Sequence, residues 1–141
     1  MRFPLIFAPV LVASGVLMLP LAAQEKDKIE RGRYLVEDVG QCQTCHSPKG
    51  DDGQYDKTKW LKGAVLEVQP IKEIKGWHKT APDITTEGRT WQRWGEEALV
   101  KYLMTGLGPR GTPADAPMPT YKFKKEDAEA VVAFLKTLKS E

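Results

Sequence analysis

A mainly α domain, built from three helical segments joined by long loops, is predicted by three features of this 141-residue chain. Apolar residues recur at helical spacing in three separate stretches. The sequence between them is punctuated by glycine and proline and shows no sustained strand alternation. Its only two cysteines stand close together with a histidine directly after the second, in Cys42-Gln43-Thr44-Cys45-His46.

The first segment runs from about Lys26 to Val39, with Ile29, Leu35, Val36 and Val39 as its apolar stripe and Gly40 as a C-terminal stop. It delivers the chain directly into Cys42. The second runs from about Glu96 to Thr105: Glu96 and Glu97 suit the positive end of the helix dipole, Leu99, Tyr102 and Leu103 share one face, and Gly106 ends it. The third runs from about Lys125 to Lys139, with Glu126 and Asp127 in its first turn. Ala128, Val131, Val132, Leu135 and Leu138 recur there at helical spacing, and Phe134 adds an aromatic. Residues 47–90 read mostly as loop. Val65, Leu66, Val68, Ile71 and Ile74 supply one or two short extended pieces that line a cofactor pocket without forming a sheet.

The N-terminus reads as an export signal over residues 1–23, leaving a single domain over 24–141. Met1-Arg2 is a minimal positive region, Phe3 to Leu21 is apolar apart from Ser14, and Leu21-Ala22-Ala23 offers small residues for cleavage after Ala23. An uncleaved membrane anchor is the competing reading, because the apolar run is long. Export places the domain in the periplasm, with membrane association only if the leader is retained. No lipidation cysteine follows the apolar run. The net charge of +2 argues against a nucleic-acid binder.

Cys-x-x-Cys-His is the spacing at which two thiols add across the vinyl groups of one haem as thioethers while the adjoining imidazole binds the iron. A zinc site would need further ligands, and the only other histidine, His78, is far away in sequence. A thioredoxin-like pair would follow a strand and leave His46 unexplained. A disulfide between Cys42 and Cys45 closes too small a loop to stabilise much. At this motif the chain resembles a c-type cytochrome, with Cys42 and Cys45 as the thioether anchors of one haem c and His46 as proximal ligand. A haem would also enlarge the limited core of so small a domain, so the apo form should fold poorly.

The second axial position decides between electron transfer and ligand chemistry. Beyond the leader, Met104, Met118 and His78 are the candidates. Met104 ends a helix beside Leu103 and reads as core. His78 sits in the polar context Trp77-His78-Lys79. Met118 lies between Pro117 and Pro119, which restrict the backbone and hold the side chain on a stiff segment, and it is the distal ligand expected here. His/Met ligation favours a fairly high potential, as suits an electron carrier.

The early Cys-x-x-Cys-His, the Pro-Met-Pro-x-Tyr segment from Pro117 to Tyr121 and the amphipathic final helix together resemble a class I cytochrome c. The resemblance implies about three to five helices with long loops around one haem. It also implies first and last helices that cross where a glycine meets an aromatic, here Gly32 and Phe134. Gly32 to Glu37, Ala81-Pro82-Asp83-Ile84-Thr85 and the tryptophan before the second helix are most similar to monohaem domains associated with membrane-bound dehydrogenases. The family's Gly-Pro after the haem motif, whose proline carbonyl accepts from the proximal imidazole, has no clear counterpart, and Pro70 is the candidate. Trp91, Trp94 and Arg110 are candidate donors to the haem propionates, against core tryptophans and a surface arginine, and Tyr121 is a further candidate haem contact.

The function expected is that of a periplasmic monohaem one-electron carrier with no substrate chemistry of its own. Its partners would be redox proteins: a dehydrogenase, an oxidase or another cytochrome. The alternatives are a haem-based gas sensor or haem enzyme with an open distal site, and the electron-transfer haem subunit of a dehydrogenase complex. Lys57, Lys59, Lys62, Lys72, Lys75 and Lys79, with Lys122, Lys124 and Lys125, form either a steering rim for an acidic partner or ordinary solvated surface.

Overall fold

The computed structural model describes residues 21–138. Residues 1–20 of the expected leader, and Lys139 at the end of the expected third helix, lie outside the described residues, while Leu21–Ala23 of that leader fall in the first helix. Helix α1 spans Leu21–Tyr34 and passes into a π-helical turn over Leu35–Val39. A short helix α2, Gln43–His46, carries the second half of the Cys-x-x-Cys-His motif. A 3₁₀ turn at Lys57–Lys59 follows, then strands β1 (Ala64–Val65) and β2 (Thr80–Ala81), helix α3 (Arg89–Thr105) and helix α4 (Lys125–Thr137).

Helices α1 and α4 form the main helix pair, and α3 packs on α4. The close approach depends on Gly32. A Cβ there would lie 2.6 Å from the Ala130 carbonyl carbon and 2.8 Å from the Phe134 Cβ, so the expected Gly32–Phe134 crossing is the contact found. The core joins Leu35 and Val36 of the π turn, Leu61, and Ala130, Val131, Phe134 and Leu135 of α4. Each large apolar side chain fully buried here contributes about 1.5–3 kcal/mol, and truncating Phe134 to Ala would cost about 3–5 kcal/mol. Arg31 pairs with Asp127 at 2.9 Å on the exposed side of the crossing, where an ion pair adds little.

Three expectations change. The second helix begins at Arg89 rather than near Glu96, with a break at Gly95, whose φ of 72° and ψ of 174° only glycine adopts readily. The break interrupts the apolar periodicity, so only the part after it is visible as a pattern. Val39, placed on the apolar stripe of the first helix, is exposed, because the π turn rotates its side chain off the core face. The extended pieces do form a minimal antiparallel sheet, Ala64 opposite Ala81 and Val65 opposite Thr80. Of the five apolar residues expected to line a pocket from this region, Leu66 alone does so. Val65, Val68, Ile71 and Ile74 are exposed, since residues 67–79 make an excursion that leaves and rejoins the core at the two-residue strands.

Candidate haem site

The Cys-x-x-Cys-His segment is fixed by its own backbone. Cys42 N–H donates to the Val36 carbonyl at 2.9 Å, and His46 N–H donates to the Cys42 carbonyl at 2.9 Å. One tight turn thus presents both thiols and the imidazole to the same side. Both cysteines are free, and burial pushes the Cys42 thiol up to about 11, so it is neutral at pH 7.

His46 is buried, with Nδ1 2.7 Å from the Pro82 carbonyl oxygen. A carbonyl only accepts, so Nδ1 carries the proton and Nε2 keeps its lone pair for a metal. Burial holds the imidazole below the ordinary histidine value, with the Pro82 carbonyl and the Asp83 carboxylate offsetting part of that effect. The acceptor is therefore Pro82 and not Pro70. Pro70 belongs to the 67–79 excursion, which carries it away from the cavity, whereas the β1–β2 pairing brings Pro82 back over His46.

The motif opens on a cavity of about 880 Å³, within the range of cofactor sites. Cys42, Cys45 and His46 share it with Leu35 and Val36, with Leu99, Tyr102 and Leu103 of α3, and with Val131, Val132 and Leu135 of α4. Met118, Trp91, Trp94, Arg110 and Tyr121 also line it. The Trp94 ring is held edge-on to Tyr102, their centroids 5.4 Å apart, and Arg110 lies exposed at the rim. Met104, read from sequence as core, is instead 36% exposed and does not line the cavity, because it projects from the outer face of α3.

His78 lines the same cavity, but its Nε2 lies 3.2 Å from Asp115 Oδ2 and its backbone N–H donates to the Ala116 carbonyl at 2.8 Å. It thereby ties the 67–79 excursion to the loop that bears Met118. That loop is anchored at its other end by Tyr121, whose hydroxyl donates to the Gly40 carbonyl at 3.0 Å.

Of the lysines, Lys57 rests over the Trp60 ring at 4.2 Å, while Lys59 pairs with Asp56 and Lys125 with Glu129. Lys72, Lys75, Lys79, Lys122 and Lys124 are exposed. Sequence reasoning missed the roles of Pro82, Gly40 and Asp115. For Pro82 a local signal existed, since Asp83-Ile84-Thr85 is an Asp-x-Thr turn of the kind that fixes the backbone beside it.

The donor set fits a haem: two thiols and an imidazole on one turn, a thioether from a separate loop, and apolar walls between them. A family model described as Cytochrome c matches residues 29–139. Among curated proteins the chain is 38% identical over 112 residues to a "Diheme cytochrome c-type" of Cereibacter sphaeroides, covering 76% of this chain and 34% of that protein. It is 33% identical over 116 residues to a "Gluconate 2-dehydrogenase cytochrome c subunit" of Pantoea cypripedii, covering 75% and 24%. Against a "Fructose dehydrogenase cytochrome subunit" of Gluconobacter japonicus the identity is 28% over 118 residues, covering 79% and 22%. The chain spans about a third or less of the length of these relatives. With the motif, the mainly α fold and the family match in agreement, the chain belongs to the cytochrome c family, as a domain that carries covalently bound haem c and serves electron transfer.

Proposed function

We propose that this chain is a periplasmic monohaem cytochrome with His46 and Met118 as axial ligands, passing single electrons from a dehydrogenase to a further acceptor. The observation that carries this reading is that Cys42, Cys45, His46 and Met118 line one largely apolar cavity from two different elements of the fold. Haem c, when bound, supplies a one-electron oxidation and reduction cycle.

The chain's own residues do the rest. Cys42 and Cys45 anchor the group through their sulfurs. The Pro82 carbonyl fixes the His46 tautomer, so that Nε2 faces the cavity side available to a metal. Met118 offers a soft thioether from a loop tied down at both ends by His78 and Tyr121. The apolar walls from α3 and α4 exclude water, which keeps reorganisation on charge change small. Arg110 and the two tryptophans supply donors for the propionates. The dehydrogenase partner rests on relatives described as cytochrome subunits of gluconate and fructose dehydrogenases. The periplasmic location rests on the apolar leader of residues 1–23. No helix among the described residues is long and apolar enough to cross a membrane.

The test is the absorption spectrum of the haem-loaded protein. A weak far-red sulfur-to-iron band in the oxidised form that vanishes in Met118→Ala, with no carbon monoxide binding by the reduced wild type, is the expected result. Rapid carbon monoxide binding without that band would move the protein to the sensor or enzyme class.

A further inference from the structure

We infer that Asp83 is a positioning residue that lowers the reduction potential of this site, acting through the Pro82 carbonyl on His46. The inference rests on the His46 ligation proposed above and extends it to a residue that does not line the cavity.

Asp83 stands between two residues that do line it, Pro82 and Ile84. Its Oδ1 accepts two hydrogen bonds of 2.7 Å each, from the Thr85 backbone N–H and from the Thr85 hydroxyl. Thr85 is 2% exposed, so this turn is locked within the protein rather than at its surface. Two glycines close around it. A Cβ on Gly63 would come within 2.8 Å of the Ala81 carbonyl oxygen and 2.9 Å of Asp83 N, and one on Gly88 within 3.1 Å of the Asp83 Cγ. Gly63 N–H in turn donates to the His46 carbonyl at 2.8 Å, and Ile84 N–H to the Leu61 carbonyl at 3.0 Å. The backbone of His46 and the segment whose carbonyl its ring addresses are therefore tied together through main-chain bonds, and within that segment the Asp83 carboxylate closes the turn onto Thr85.

Asp83 directly follows Pro82, so its carboxylate stands one residue from the carbonyl that His46 Nδ1 addresses at 2.7 Å. An anion beside the accepting peptide unit strengthens the pull on the Nδ1 proton and makes the Nε2 ligand more basic. A more basic ligand favours the oxidised metal, and the potential falls. The chain holds an internal control. Asp56 accepts from Thr58 N–H and the Thr58 hydroxyl in the same Asp-x-Thr turn, at 2.9 and 2.6 Å, yet neither it nor its neighbours line the cavity.

The test is spectroelectrochemistry on the haem-loaded full chain, with Asp83→Asn, Thr85→Val and Asp56→Asn beside the wild type. In Asp83→Asn the amide oxygen can keep both hydrogen bonds while the charge is lost. The expected result is a shift of about tenfold toward the reduced form, a rise of about 59 mV for one electron, with low-spin spectra retained. Thr85→Val keeps the charge and should lower the unfolding midpoint with a much smaller shift in potential, and Asp56→Asn should leave the potential where it was. An unchanged potential in Asp83→Asn, or an equal rise in Asp56→Asn, overturns the inference. A wild type that lacks a histidine-ligated low-spin haem would instead overturn the ligation itself, so the two failures are distinguishable.

Discussion

The Tyr121 hydroxyl donates to the Gly40 carbonyl at 3.0 Å, joining the loop that bears Met118 to the turn that bears Cys42 across 81 residues of sequence. The Tyr121 ring also stacks on Phe123, with centroids 5.2 Å apart and planes 11° from parallel. Tyr121→Phe keeps the stacking and leaves the carbonyl without that donor, so stability should fall by about 1–3 kcal/mol in denaturant titrations.

The same residue sets an alkaline limit. Burial, ahead of the neighbouring thiols, pushes the Tyr121 phenol from 10 up to about 12, and burial remains once the thiols are thioethers. A folded value above the unfolded one means that the contribution is complete below pH 10 and is lost as the pH rises from 10 toward 12. Unfolding midpoints measured across that window should fall more steeply in the wild type than in Tyr121→Phe. Parallel curves would refute this.

Gly32→Ala gains helix propensity worth up to about 1 kcal/mol, yet its methyl group meets the backbone of Ala130 and the Cβ of Phe134. The helices must separate to admit it. Net destabilisation of about 1–3 kcal/mol is expected in thermal unfolding, and a variant as stable as the wild type would show that the crossing yields easily.

Gly95→Ala tests a different cost, because a Cβ at Gly95 would meet nothing within 4 Å. Only the backbone conformation penalises it, by about 1–3 kcal/mol. Near-ultraviolet circular dichroism should report the change, since the break orients the turn that carries Trp91 and Trp94.

Removing the anchors together, Cys42→Ala with Cys45→Ala, should leave haem extractable by acidified organic solvent. Once stripped, this protein should lose much of its far-ultraviolet helical signal, because a cavity of about 880 Å³ is then left without the group that α3 and α4 pack against. Retention of a full helical signal by the stripped protein would mean that the helices pack without it.

Local patterning decided much of this molecule. Cys42, Cys45 and His46 declare their chemistry within five consecutive residues, and α4 follows from apolar spacing alone, since an amphipathic face needs only the next few residues to be recognised. The contact of Gly32 with Phe134 is legible in the family resemblance, and the prolines on either side of Met118 single out a residue that the fold places in the cavity lining. What tertiary structure decided are pairings between segments distant in the chain. Pro82 rather than Pro70 meets His46 because two-residue strands return the chain there; the Asp-x-Thr turn after Pro82 marks a fixed backbone, but its pairing with a histidine 36 residues away is decided only by the folded chain. Val65, Val68, Ile71 and Ile74 carry the composition of a pocket lining and lie outside, because burial depends on whether a segment reaches the core and not on its hydropathy. The tie from Tyr121 to Gly40 and that from His78 to Asp115 are of the same kind: the hydrogen-bonding groups are visible in the sequence, and only the folded chain selects their partners.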